Sequence, residues 1–446
     1  LDLSRFFIDE RGTKPYYFDK EHPETVKKGH ENELRYSYHQ AHLPVRQQDE
    51  AFGHAVRAVY LYSGMADIAR ITGDETLYKA CETLWDNITN QKMYVTGGIG
   101  GTHIGEAFSF PFDLPNDTAY AETCASIGLV FFARRMLEIA PKAKYADVME
   151  RALYNGILSG MALDGKSFFY VNPLEVNPES CHKDERKFHV KPVRQKWFGC
   201  ACCPPNLARL LSSIGSYAYT ENEDTLFVHL YMGSLLTKKV KNQDVDVQIQ
   251  SEFPWNGKVR ITVRAKNTGF KLALRIPGWC DSFTLQYDGQ TIHGLSDNDA
   301  DTSVVDFKRI ERKDGYLYIS GFDQEEETIT PEKTQNMRTE TIAIESPTEK
   351  ENNIINIKYP DGLETAKKFD KLIASRYCVL IDIENNKILA ERNADKKMYP
   401  ASMTKMMTLI VAVENMESPD DTFTMTYDIL NPPVSYTHLT LPTILR

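Results

Sequence analysis

Residues 50–71 read EAFGHAVRAVYLYSGMADIARI, and their spacing decides the fold of the first half of the chain. Ala51, Ala55, Val59 and Tyr62 recur at helical intervals, and Gly73-Asp74 follows as a stop. Working outward, a second helix is predicted over 75–89. Residues 93–108, MYVTGGIGGTHIGEAF, carry five glycines and must form a loop. A further helix is expected from near Asp117 or Thr118 through SIGLVFFARRMLEIA, and another over 145–161. At the front, LDLSRFFIDERG reads as the end of an amphipathic helix. Paired helices joined by long polar loops predict an α/α barrel over residues 1–219, whose loops gather at one end to make a site.

The texture changes near Thr220. LFVHLYMGSLLTKKV, VDVQIQSEF, KVRITVRAK, KLALRIPG and SFTLQYDGQTI alternate with period two between Asn, Gly, Pro and Asp. They predict an antiparallel β-sandwich over 220–320. Residues 321–373 are polar and charge-rich and read as a linker. A third, unrelated piece of α/β character occupies 374–433. The fold class expected is therefore multidomain: a partial helical barrel, a β-sandwich and an α/β fragment.

Composition narrows the functions. At 446 residues the chain has room for two or three cores. A net charge of -10 and the lack of any basic run argue against a nucleic-acid partner. No stretch of about 18 apolar residues is present, so no membrane span is expected. The 23 Tyr, 21 Phe and 4 Trp serve packing first, but also suit a cleft that stacks on sugars. Three of the eight cysteines crowd into Cys200-Ala201-Cys202-Cys203. Adjacent cysteines in a chain this long fit metal or catalytic thiols in a reducing, cytoplasmic compartment better than a disulfide framework. The first residues, LDLSRFFIDERG, carry no initiator Met and no signal-peptide pattern, and the expectation is that the chain starts inside a domain.

Pro204-Pro205 followed by NLARLLSSIGSYAY marks a helix start, so Cys202 and Cys203 sit at its positive end. Two neighbouring thiolates need a cation, and zinc suits sulfur. Glu122 and Cys124 complete a four-donor set with Cys202 and Cys203. A structural zinc knot or plain buried thiols would leave the same pattern. Glu106, on the glycine-rich loop, is what pairs a general acid with a thiol nucleophile, although loop carboxylates are usually just solvated.

These segments, with YSYHQAHLPVRQQDEAFGHAVRAVYLYSGMADIA (residues 36–69), DLPNDTAYAETCASIG and QKWFGCACCPPN, resemble glycoside hydrolase family 127, the cysteine-dependent β-L-arabinofuranosidases. The resemblance covers residues 1 to about 320. It implies a partial (α/α)6 barrel and a retaining mechanism on L-arabinofuranosides or related pentose oligosaccharides. Cys202 would be the nucleophile and Glu106 the acid/base. Glu122, Cys124, Cys202 and Cys203 would hold zinc, while His54 and Tyr170 would contact the sugar. A retaining pair stands about 5–5.5 Å apart, and burial or thiolate charge should raise the Glu106 pKa. Family members also have a longer N-terminal region, absent here, so part of the barrel wall is missing. A zinc-stabilised carbohydrate-binding or scaffold protein without turnover is the alternative.

Residues from about 376, RYCVLIDIENNKILAERNADKKMYPASMTKMMTLIVAVE, read as two strands about Glu384-Asn385-Asn386 and a helix opened by Pro400-Ala401. Ser402 and Lys405 lie one helical turn apart in an S-x-x-K pattern. This stretch resembles a truncated serine D-alanyl-D-alanine carboxypeptidase, with Ser402 the nucleophile and Lys405 its partner. No later Ser-x-Asn or Lys-Thr-Gly follows, so no peptidase activity is expected. Residues 434–446 fit neither fold and read as an artefactual tail. The expectation is a chimera joined between about 320 and 375.

Overall fold

The computed structural model describes residues 1–320 except 22, 27–29, 201, 241–242, 266–268, 281, 288–289 and 296–309, together with strands at 327–332, 378–382 and 387–392. The chain divides into two units, residues 1–335 and 336–446.

Among the described residues of the first unit the helices are α1 (Asp2–Glu10), α2 (Tyr17–Glu21), α3 (His30–Tyr38), α4 (Ala55–Thr72), α5 (Glu75–Asn87), α6 (Thr123–Ile139), α7 (Ala143–Arg151), α8 (Ser180–Lys183), α9 (Cys203–Ser212) and α10 (Gly215–Ala218). The helix expected over 50–71 starts only at Ala55, because His54 caps it: its Nδ1 accepts the Arg57 N–H. Gly73, with φ 68°, ends it in the left-handed region. Asp74 then caps α5 by accepting the N–H groups of Thr76 and Leu77.

Two expected helices are shorter than the apolar pattern implies. The one expected from Asp117 begins at Thr123, because the preceding backbone is committed elsewhere. Ala121 N–H donates to the Gly100 carbonyl, and Glu122 bridges Val171. The one expected over 145–161 ends at Arg151 and continues as a π-turn (Ala152–Ile157) and a 3₁₀ turn (Leu158–Gly160). Helices α4 and α6 pack closely because residue 128 is glycine: a Cβ there would stand 2.4 Å from Val59 Cγ2. Tyr62, Met65, Trp85, Phe132 and Tyr145 fill the core around them, each burial contributing roughly 1.5–3 kcal/mol.

The β region holds strands β1 (Tyr219–Glu221), β2 (Thr225–Val228), β3 (Ser234–Val240), β4 (Gln243–Ser251), β5 (Val259–Ala265), β6 (Lys271–Arg275), β7 (Ser282–Tyr287), β8 (Gln290–Leu295), β9 (Ile310–Lys313), β10 (Tyr316–Ser320) and β11 (Glu327–Glu332). They form two sheets, β1-β2-β6-β10-β9 and β3-β4-β5-β11-β7-β8. Buried residues of both, Leu226, Leu272 and Leu317 from one and Val247, Ile261 and Leu285 from the other, share one apolar cluster.

Two details depart from the sequence reading. Strands β2 and β6 pair parallel, Val228 opposite Leu274, because β3 to β5 intervene in the other sheet and make the connection a crossover. Strand β11 pairs with β5 and β7 inside the segment read as linker; the charges around Thr328-Ile329-Thr330 hide its alternation.

The helical and β parts are pinned together at Arg275. Its guanidinium is fully buried and donates to Asp147 (2.6 Å) and to Glu150, both on α7. Trp279 Nε1 donates to the second oxygen of Glu150 at 2.7 Å, and the Gly278 N–H to Asp147 at 3.1 Å. In the second unit, β12 (Cys378–Asp382) and β13 (Lys387–Arg392) pair antiparallel, as expected for the hairpin. The predicted helix with Ser402 and Lys405, and the tail at 434–446, lie outside the described residues.

Removing one partner of a buried ion network strands the others without compensation. Arg275→Ala is expected to lower the unfolding free energy by about 3–5 kcal/mol, read from urea denaturation; a loss under about 1 kcal/mol would contradict this role.

Candidate active site

Helix α9 starts at Cys203 with prolines in its first turn, which leaves Cys202 as its N-cap residue. The segment ahead of α6 delivers Glu122 and Cys124. These two segments, 80 residues apart for Glu122 and Cys202, converge: Cys202 Sγ lies 3.5 Å from Glu122 Oε1, and Cys203 Sγ lies 3.8 Å from Cys202 Sγ and 3.7 Å from Cys124 Sγ. All four donor atoms fall within 4.8 Å of one another. The cluster is buried except at Cys202, which keeps partial access to solvent; Cys200 is exposed.

The electrostatics of this cluster are those of too many acids in one dry place. Burial, then the charge of Cys202, pushes Glu122 well above the carboxylate range. Contacts with Cys202 and Cys203 push Cys124 down to about 6, and contacts with Cys124 and Cys202 drive Cys203 up. For Cys202, the contact with Cys124 opposes ionisation, but hydrogen bonds with Cys200 and Cys203 prevail and lower it. Glu122 Oε2 is buried with no hydrogen-bond partner. Three sulfurs and an orphaned carboxylate oxygen form a donor set compatible with a metal ion, whose charge would favour the ionised form of each donor.

Tyr170 and Glu106 complete the site. The Tyr170 hydroxyl lies 3.0 Å from Cys202 Sγ. Glu106 sits in a 3₁₀ turn of the glycine-rich loop, after Gly105 at φ 69° and itself at φ 55°. His54 Nε2 reaches Glu106 Oε2 at 2.9 Å, and the Tyr120 hydroxyl donates to Oε1 at 2.8 Å. Since the Arg57 N–H occupies His54 Nδ1, the Nε2 position carries the proton toward Glu106. One acidic oxygen each of Glu106 and Glu122 and a nitrogen of His54 also lie within 4.8 Å of one another, so Glu122 stands between the two halves of the site.

The structure therefore brings together all seven residues singled out in the first unit: His54, Glu106, Glu122, Cys124, Tyr170, Cys202 and Cys203. It overturns the expected direction for Glu106. The His54 hydrogen bond, helped by Tyr120, outweighs burial and holds this carboxyl below its usual range. Sequence reasoning assigned no role to Tyr120, although it lies inside the YAETC motif. It also passed over Arg57, His103 and His189, which carry no motif of their own.

Residues 1–216 match the model described as "Beta-L-arabinofuranosidase, GH127 catalytic domain", and residues 225–332 match its "GH127 middle domain". The first 332 residues belong to family GH127. Over 304 residues the chain is 42% identical to the non-reducing end β-L-arabinofuranosidase of Bifidobacterium longum subsp. longum, covering 66% of this chain and 46% of that protein. A crystal structure of a GH127 β-L-arabinofuranosidase from Geobacillus stearothermophilus T6 superposes with a TM-score of 0.68 at 52% identity, covering 74% of this chain and 50% of that one. Another GH127 β-arabinofuranosidase structure gives a TM-score of 0.61 at 38% identity, with 74% and 48% covered. The chain thus spans about half the length of these relatives. Residues 363–439 match the D-alanyl-D-alanine carboxypeptidase model, starting eleven positions before the expected 374. The GH127 match ends at 332, where β11 ends.

The loop that presents Glu106 depends on Gly105. A Cβ there would meet the Tyr38 ring at 2.7 Å, in a backbone region that L-residues avoid. Gly105→Ala is expected to destabilise the chain by roughly 1–3 kcal/mol in thermal or urea unfolding, and an unchanged midpoint would refute the strain argument.

Proposed function

We propose that residues 1–332 form a retaining glycosidase site acting on β-L-arabinofuranosides, with Cys202 the nucleophile and Glu106 the acid/base. The helical part is read as a portion of an (α/α)6 barrel and the two sheets as a β-sandwich. The observation that carries the reading is the meeting of a helix-capping cysteine with a separate, hydrogen-bonded carboxylate on a glycine-rich loop, bridged by Glu122.

The residues present fit zinc: three cysteine sulfurs and one carboxylate with an oxygen lacking any other partner. Glu122, Cys124, Cys202 and Cys203 would hold it. When bound, zinc keeps the sulfurs deprotonated at neutral pH and fixes the direction of Cys202. The chain's own groups do the rest. In the first step the Cys202 sulfur supplies the electron pair of a new S–C1 bond, while the C1–O bond breaks and its oxygen takes the Glu106 proton. In the second step water attacks C1, its proton passes to Glu106, and the sulfur leaves with its electron pair. The low Glu106 pKa of the free site suits the base form of the second step. Donation in the first step follows when a sugar draws His54 away and excludes water, since both changes raise that pKa. Tyr170, whose hydroxyl adjoins Cys202, is placed to contact the same sugar.

Substrates for the chain would be L-arabinofuranosides, as the relatives' names indicate, or related pentose oligosaccharides. No helix among the described residues is long and apolar enough to cross a membrane. For Ser402 and Lys405 no catalytic role is proposed.

Two measurements test the reading. Cys202→Ser should abolish turnover of an aryl β-L-arabinofuranoside, with a loss of at least about 10³-fold, while sugar binding by calorimetry persists. Retained turnover would remove the nucleophile, and a chain that binds the sugar but never cleaves it would favour a binding module. Elemental analysis after dialysis should find close to one zinc per chain, and Cys124→Ser should lose most of it. A zinc-free wild-type protein would sink the metal assignment.

A further inference from the structure

Glu106 has a donor on each oxygen: His54 on Oε2 and Tyr120 on Oε1. Tyr120 stands on the extended segment two residues ahead of Glu122, so its hydroxyl ties the glycine-rich loop to the segment that carries Glu122 and Cys124. Its ring is buried to 9% exposure and bracketed by aromatic neighbours. Tyr170 meets it edge-on at 6.2 Å, and His189 lies against it at 5.7 Å. His103 stacks on His189 at 4.6 Å with the planes 14° apart. The series closes on itself, because the His103 carbonyl accepts the Glu106 N–H at 3.2 Å. The aromatic rings thus begin on the loop that bears Glu106 and end on the hydroxyl that holds its carboxylate.

Such a support is needed. Gly105 and Glu106 both have positive φ, and a loop with two successive left-handed residues does not by itself fix where the next carboxylate points. A phenol bonded to Oε1 also has a chemical consequence. A carboxylic acid that accepts a hydrogen bond at one oxygen carries its own proton on the other. Once a sugar has drawn His54 away, the proton Glu106 gives up is confined to Oε2, the oxygen that faced His54 in the free site.

We propose that Tyr120 is a positioning residue for Glu106: held by the His103–His189–Tyr170 rings, its hydroxyl fixes the carboxyl so that Oε2 delivers the proton to the leaving oxygen and takes it back from water. This rests on the reading of Glu106 as acid/base. The atoms balance as in the two steps above, with Tyr120 keeping its proton throughout.

The test compares Tyr120→Phe and Glu106→Gln on two substrates, a methyl and a 4-nitrophenyl β-L-arabinofuranoside. The methyl leaving group needs protonation, whereas nitrophenolate departs without it. For Tyr120→Phe, kcat/KM should fall about tenfold or more on the methyl glycoside and less than about threefold on the nitrophenyl one. Glu106→Gln should show the same selectivity more steeply. An even loss on both substrates for Tyr120→Phe, or no loss, with Glu106→Gln still selective, would overturn the positioning role alone. A Glu106→Gln variant without selectivity would overturn the acid/base reading instead. A crystal structure of full-length Tyr120→Phe gives an answer independent of turnover. Glu106 should leave its single orientation or lose its His54 contact, and an unmoved, singly ordered carboxylate would overturn the proposal.

Discussion

The arrangement turns on confining four acidic groups, one carboxyl and three thiols, in a space from which water is largely excluded. Glu122 and Cys203 both resist ionisation there, while contacts with its two neighbouring cysteines draw Cys124 down. Charge that cannot be solvated must be met by protons or by a cation. That requirement explains why the donors come from two separate segments. Helix α9 supplies the positive end of its dipole to Cys202 and Cys203, while the extended stretch before α6 carries Glu122 to the edge of the core.

The surrounding fold keeps those segments in register. Helix α6 is buried along most of its length against α4, at a separation that only a glycine at 128 permits. The Asn206 amide on α9 donates to the Tyr60 hydroxyl on α4 at 2.8 Å, and Arg209 donates to the same hydroxyl at 2.7 Å. The three helices that frame the thiol cluster are therefore joined by packing on one side and by a polar contact on the other. Farther out, Arg275 fixes α7 to the β region through two carboxylates, a link whose value lies in leaving neither charge alone.

Glu106 works under the opposite constraint from Glu122, although the two carboxyls are neighbours. One is buried without enough donors, which pushes its pKa up; the other has a donor on each oxygen, which holds its pKa down. Environments that push two carboxyls apart in this way divide their labour, one suited to a cation and one to moving a proton.

Much of this was legible in the residues. Helical spacing marked α4 to α6, and period-two alternation marked most of the strands. The Cys202-Cys203-Pro204-Pro205 run announced thiols at a helix start, because proline in a first turn and a dipole end are local facts. Long-range decisions were not legible. The late start of α6 depends on a bridge to Val171 and a hydrogen bond to Gly100, the parallel pairing of β2 with β6 on a crossover through the other sheet, and β11 on partners some 45 and 65 residues away. The fall in the Glu106 pKa required knowing that His54 and Tyr120 both point at it. The sequence by itself determined which groups can ionise, bind a metal or attack carbon, since that is side-chain chemistry. Only the tertiary structure decided which of them are dry, which have donors and which touch, because those properties belong to pairs of residues that the chain brings together by folding.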